Sequence, residues 1–343
     1  MRFGRRTLIM CMTAVAFATA GCANQPVGGS TTPGATAIEY PTKTVKLMAP
    51  AGTGGGWDTT ARTMQKALQE AGLLKGQSVE VRNVTGAAGT IGLAELVTSH
   101  GKNPYQLMIT GLVMVGGVVV NKSPVELTQT TPIATLTAEA EVVVVRSDSK
   151  YTTLKQLVDD VKANPASVKW GGGSAGGTDQ ILVGLLAKAA GADPKAVNKQ
   201  YVAYSGGGEV KAALLSRDVS VAVSSVSEFA DLVKGGQLRA LAVSGAQAQD
   251  AGAGTPAPTI KTSGYDLELM NWRGIVAPPG LTDGERKAVS DMIDKLHSSP
   301  AWQQALKEKK WDDFYKTGDA ATSFFASESA RIKAVLTEAG VGS

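Results

Sequence analysis

One local pattern recurs through this chain and limits what it can fold into. A short apolar strand runs into a turn of Gly, Ser and Thr, and a segment with helical periodicity follows. Four such turns, at 52–58, 85–90, 171–178 and 205–209, all come directly after strands. Strands alternating with helices predict an α/β fold, here a mostly parallel sheet covered by helices. In such sheets ligands bind beyond the carboxyl ends of the strands, where these turns lie. In the first unit the run Val45-Lys-Leu-Met-Ala-Pro50 leads into Pro50-Ala-Gly-Thr-Gly-Gly-Gly-Trp-Asp58, and Trp57, Ala61, Met64, Leu68 and Ala71 then recur at helical spacing. A turn of this kind aims several backbone N–H groups and a helix N-terminus at one spot, which suits an anion. Asp58 is placed as the helix N-cap, with Arg62 one turn on and able to pair with it. Gly-Trp-Asp stands where a Walker loop needs Gly-Lys-Ser/Thr, so a nucleotide phosphate loop is excluded.

The second unit is the strand Ser78–Asn83, the turn around Thr85 and Gly86, and a helix from about Thr90 to His100. Tyr105–Ile109 is a third strand. The order restarts at Glu141-Val-Val-Val-Val-Arg146, a short apolar run between charges that reads as a buried strand. Strands at 167–170, 200–204, 219–223 and 238–244 follow, with helices between them. Three helical patterns, Asp283–His297, Pro300–Lys309 and Asp319–Gly340, complete the chain. The expected organisation is two lobes: 41–138 with the returning 244–343 forms one, and 139–243 forms the other. Crossings near 138 and 243 would act as a hinge, with glycine turns from both lobes facing one cleft.

Ahead of this body lie Arg2, Arg5 and Arg6, an apolar segment from about Leu8 to Ala20, and Gly21-Cys22. That is the pattern of a signal peptide over 1–21. Cys22 stands where a lipobox places the lipidated residue, and 22–40 reads as a flexible tether. Taking the three arginines out of a formal charge of +4 leaves +1, which argues against nucleic-acid binding. The remaining body has no cysteine pair, and its histidines, His100 and His297, are too few and too far apart to suggest a metal site.

Two motifs compete for the third turn. Gly171-x-Gly173-x-x-Gly176 matches a dinucleotide fingerprint, but the confirming acid at the end of the next strand is missing. Gly172-x-Ser174-x-Gly176 matches a nucleophile elbow, for which His297 is the sole later histidine. The four turns together are rich in N–H and O–H donors and hold no base–nucleophile pair, which suits a receptor for an anion. Trp57 and Tyr204 are candidates for the cleft walls. Arg273 is a candidate for a second carboxylate or, more simply, for a surface or interlobe salt bridge.

At these residues the chain resembles the extracytoplasmic solute receptors of tripartite tricarboxylate transporters, the Bug receptors. The resemblance rests on Ala49 to Asp58 with Ala61-Arg62, Asn83 with Gly86 to Gly92, Trp170 to Asp179, Tyr204 to Glu209, and Asn271-Trp-Arg-Gly274 with Ala277-Pro-Pro-Gly280. The forms around Trp57 and Trp272 are most similar to the tricarboxylate-binding branch. The resemblance implies a two-lobed periplasmic-binding-protein fold (type II-like) that closes on a small carboxylate such as citrate, without cofactor or catalysis. It implies ligand contacts from Gly52, Thr53, Gly54, Gly55 and Asp58 and from Ser174, Ala175, Gly176 and Thr178, with Thr85, Gly86, Tyr204 and Ser205 lining the remainder. It also implies delivery to a membrane permease of one large and one small subunit. A lipid anchor departs from the many members that are free in the periplasm. A sensory receptor that presents its ligand to a membrane kinase is the alternative, and a hydrolase dependent on Ser174 is a further one.

Overall fold

The computed structural model describes residues 38–204 and 207–341. The signal segment, Cys22, most of the tether and Ser205 lie outside the described residues. In chain order the elements are β1 (Val45–Ala49), α1 (Gly56–Glu70), β2 (Val79–Asn83), α2 (Thr90–Ser99), β3 (Gln106–Gly111), α3 (Leu112–Val120) and β4 (Thr131–Arg146). There follow α4 (Leu154–Ala163), β5 (Trp170–Gly172), α5 (Thr178–Ala189), α6 (Pro194–Asn198), β6 (Tyr201–Ala203), α7 (Gly207–Leu215), β7 (Val221–Ser225), α8 (Val226–Lys234) and β8 (Leu238–Val243). The chain returns through β9 (Met270–Ala277), α9 (Asp283–His297), α10 (Pro300–Lys309), β10 (Asp312–Thr317) and α11 (Gly318–Glu338).

The sheet is mixed, which corrects the mostly parallel expectation. Its order is β2-β1-β3-β9-β4-β7-β5-β6, with β8 and β10 also paired to β4. Within each strand–turn–helix series the pairs are parallel: β1 with β2 and β3, and β5 with β6 and β7. Every pairing of β4 and β9 is antiparallel. Helical crossovers generate the parallel ends, while strands that return from the far side of the chain generate the antiparallel centre.

β4 is the second correction. The apolar run after Glu141 is only the end of a 16-residue strand. Its first part pairs with β9 and β10, and its second with β7 and β8. A boundary near residue 138 therefore falls inside a continuous strand. Val142, Val143, Val144 and Val145 are all fully buried because the strand is covered on both faces. Val142 and Val144 join a core with Val210, Leu214 and Phe229, while Val143 and Val145 join the larger core with Leu157 and Leu182. The alternation of a pleated strand thus serves two cores at once, at about 1.5–3 kcal/mol for each buried side chain.

α3 was not anticipated. Its Gly116-Gly117 pair lets two glycine turns approach it closely. A Cβ on Gly116 would lie 1.7 Å from the Gly176 carbonyl oxygen, and one on Gly117 would lie 2.7 Å from the Ala88 methyl. Gly176 has φ +74, and a Cβ on it would lie 2.3 Å from Val120 Cγ2, so glycine is required there on two counts. The second and third turns are thereby packed on one helix. Gly116→Ala is expected to lower stability by about 1–3 kcal/mol through overpacking. Gly208→Ala, in open space, is expected to be neutral or mildly stabilising. Denaturant midpoints of the two variants check the contrast.

Candidate ligand-binding cleft

The first turn is held from beneath. Asp58 is not the N-cap expected from the sequence: Gly55 is, and Asp58 sits three residues into α1. Its buried carboxylate reaches back to accept from the Gly54 amide at 2.8 Å. It also accepts from Arg62 Nε and from Asn83 Nδ2, both at 2.9 Å. Asn83, at the end of β2, donates to the Ala51 carbonyl as well. One acid thus ties the loop, the helix and the neighbouring strand together. Burial raises the Asp58 pKa, but the bonds from Gly54, Arg62 and Asn83 outweigh it and hold it below the ordinary carboxylate value.

The third turn is fastened in the same way. The Gly173 amide donates to Asp179 Oδ2 at 2.6 Å and the Gly176 amide donates to Gln180 Oε1 at 2.7 Å. The fingerprint glycines are explained by the chain's own packing. A Cβ on Gly171 would meet Val219, one on Gly173 would press on Asp179 Oδ2 at 3.3 Å, and one on Gly176 would meet Val120. No dinucleotide is needed to account for them.

These turns open on a cleft of about 1020 Å³. Gly52, Thr53, Gly54, Gly55, Trp57, Thr85 and Gly86 line one side, and Ser174 and Thr178 line the other. Trp57 is largely buried, against Gly89 and Gly111, and presents only an edge. Asp58 and Gly176 lie behind the surface. Ala175 and Tyr204 line a smaller adjoining depression that shares Ala87, Ala88, Ser174 and Glu209 with the main cleft. The N-terminal ends of α1, α5, α7 and α8 all reach the cleft, through Gly56, Thr178, Gly207 and Ser225. The first amides of a helix have no partner within it and carry its positive end. Neither histidine belongs here: His100 bonds Glu95, and His297 bonds Asp313 and stacks on Tyr315. Ser174 therefore has neither histidine beside it to take its proton.

The family model for the tripartite tricarboxylate transporter family receptor matches residues 60–341. The chain belongs to that family. The receptor is 25% identical over 340 residues to protein BugT of Bordetella pertussis, covering 97% of this chain and 98% of BugT. Its fold matches MatC (Rpa3494) of Rhodopseudomonas palustris, solved with bound malate, at a TM-score of 0.71, with 18% identity and coverage of 87% of this chain and 100% of that one. It matches R. palustris Rpa4515, solved with adipate, at 0.71, with 21% identity and coverage of 88% and 99%.

The receptor holds an acidic cluster that the sequence did not reveal. Arg273, on β9, is not a surface pair: its Nη2 lies 2.7 Å from Glu139 Oε2 on β4, and both residues are buried. Beside them Glu141 is fully buried, with its Oε1 accepting from the Ser225 hydroxyl at 3.3 Å. Burial, and then the charges of Asp179, Glu139 and Glu228, push the Glu141 pKa well up. Asp179 is pushed up to about 7, by burial first and by Glu228 among the charges, against the bond from Gly173. Glu228 faces the water of the cleft, yet the protein around it strips enough solvent to raise its pKa too.

Folded Asp179 and Glu141 keep protons that an unfolded chain releases above about pH 4. Stability therefore declines as pH rises from about 4 to about 7 on their account. Asp58 works in the opposite sense: its contribution is present above the ordinary carboxylate value and is lost as pH falls below it. Thermal melts between pH 5 and pH 8 are expected to show a falling midpoint that flattens in Asp179→Asn. Asp58→Ala, which strands the Gly54 and Asn83 donors, is expected to cost about 1–3 kcal/mol at neutral pH, measured by urea unfolding.

Proposed function

We propose that this receptor captures a small carboxylate in the cleft, outside the cytoplasm, and delivers it to a membrane permease of one large and one small subunit. The carrying observation is the convergence of four helix N-termini on one cleft, one side of which is lined by two glycine-rich turns. Gly52 to Trp57 and Thr85 to Gly89 offer that side's donors, and a carboxylate there is stabilised by oriented amides in a place that water leaves on binding. Contacts from Ser174 and Thr178 complete the site from the other side. The malate and adipate carried by its structural relatives support an organic acid as ligand, and the motif forms around Trp57 and Trp272 favour citrate among them.

Capture works by closure. The part of the sheet in 139–243 and the part in 41–138 with 244–343 approach each other when ligand contacts both, so binding energy goes into the closed state and the permease senses that state. Attachment through Cys22 would keep the loaded receptor near the membrane.

Thermal unfolding of the purified protein against citrate, malate, adipate, amino acids, aromatic acids and dinucleotides tests this. A ligand that binds only the folded state adds about 2.7 kcal/mol at a hundred times its dissociation constant, a midpoint shift of roughly 4–8 °C. A shift with one or more carboxylates, without product formation, is the expected result. Stabilisation by a dinucleotide alone overturns the reading.

A further inference from the structure

Among the described residues the cleft is lined by three acids, Asp179, Glu209 and Glu228, and by two cations, Arg273 and Lys211. The cations do not offset the acids. Arg273 is engaged by an acid that does not line the cleft, Glu139, at 2.7 Å. Lys211 Nζ donates to the backbone carbonyl of Glu228 at 3.2 Å. Glu141 adds a further carboxyl whose charge bears on Asp179 and Glu228, and it is fully buried with Oε2 left without a hydrogen-bond partner. A carboxyl in that position is costly as an anion. The acidic wall therefore already holds as much negative charge as its partners can balance.

The groups around the two acids come from every element packed on them. Asp179 on α5 faces Glu141 on β4, Glu228 on α8 and Tyr201 on β6, and it accepts from the Gly173 amide at 2.6 Å. Glu228 faces Glu139 on β4, Arg273 on β9 and Lys211 on α7, and it accepts from the Ser224 hydroxyl at 3.2 Å. Asp312 on β10 is a further acid beside Glu139. Glu228 is also pressed against the start of α7, where a Cβ on Gly207 would fall 1.2 Å from its Oε2. A plain structural reading makes Asp179 and Glu228 complements to helix N-termini. That reading predicts acids held below the ordinary carboxylate value. Burial instead pushes Asp179 up to about 7 and raises Glu228 as well. An anion that enters the same cleft disfavours their charged forms further.

We propose that capture is coupled to proton uptake: as the carboxylate ligand enters, Asp179 and Glu228 together take up a proton from solvent, and they return it when the ligand leaves. This rests on the carboxylate reading above and adds a dependence on the pH outside the cytoplasm. No ligand bond is made or broken, and the proton cancels one negative charge within the cleft. Linkage fixes the sign. The complex holds more protons than the empty receptor, so affinity is highest in acid and falls as pH rises, by up to about tenfold per pH unit for each proton taken up.

Calorimetric titration of the whole protein at pH 7.5 in Hepes and in Tris, buffers with different heats of ionisation, counts these protons. Malate, adipate and citrate are the probes. The first two are fully ionised at that pH, and the protons that citrate itself carries are counted separately. The binding heats are expected to differ between the buffers by an uptake of about 0.3–1 proton per ligand, with affinity falling about threefold to tenfold from pH 7 to pH 8. Asp179→Asn, which can still accept from Gly173, is expected to lose most of the uptake and to bind more tightly than the parent at pH 8. Damage to the cleft would weaken binding instead. Glu228→Gln is the second variant, and a melting midpoint for each shows that it is folded. Equal heats in the two buffers, with affinity unchanged from pH 7 to pH 8, overturn the inference and leave the carboxylate reading standing. So does an uptake undiminished in both variants. If no carboxylate binds at all, both readings fall together.

Discussion

Much of this structure depends on β4. Its 16 residues pair with β9 and β10 up to Ala140 and with β7 and β8 from Glu141 onward. Glu139 and Glu141 stand where the partners change, and the cleft lies over that point. The strand carries apolar side chains to two separate cores and acidic ones to the base of the cleft. Burying such acids is costly unless they are paired or protonated. Both solutions are used: Glu139 is paired with Arg273, and burial pushes the Glu141 pKa well up, toward the protonated form.

The first and third turns are built alike and fastened alike. In each, an acid early in the following helix reaches back to a glycine amide: Asp58 to Gly54 and Asp179 to Gly173. Their surroundings then separate them. Asp58 has Arg62 and Asn83 as partners and stays ionised beneath the loop. Asp179 has Glu141 and Glu228 as neighbours and is pushed toward neutrality at the cleft surface. The same local device thus leaves one acid charged and the other near neutrality.

The turns were legible because their signal is local. Glycine runs between an apolar strand and a helical pattern identify themselves, as do α9 and α10, whose starts are marked by Thr282 with Glu285 and by Ser299 with Pro300. The rest was hidden for physical reasons. β10, Asp312–Thr317, has no alternation of its own and is a strand because β4 offers it an edge. The first half of β4 went unassigned because Thr and Pro interrupt its apolar run, and α3 because glycines do. Glu139, Glu141, Asp179 and Glu228 come from three different elements and meet only in the fold. Charges flanking the valine run at 142–145 were the one available hint, and such charges usually mark a strand end.

The late arrival of the partners of β4 has a consequence for synthesis. Each strand it pairs with is translated after it: β7 and β8 first, then β9 and finally β10. A nascent chain that has reached only residue 200 carries an apolar strand with both edges open, the arrangement most prone to join a neighbouring copy. The chain therefore cannot fold progressively from its beginning. It must be kept from self-association until β9 has been made, and any truncation before β9 is expected to yield aggregate rather than a smaller folded piece.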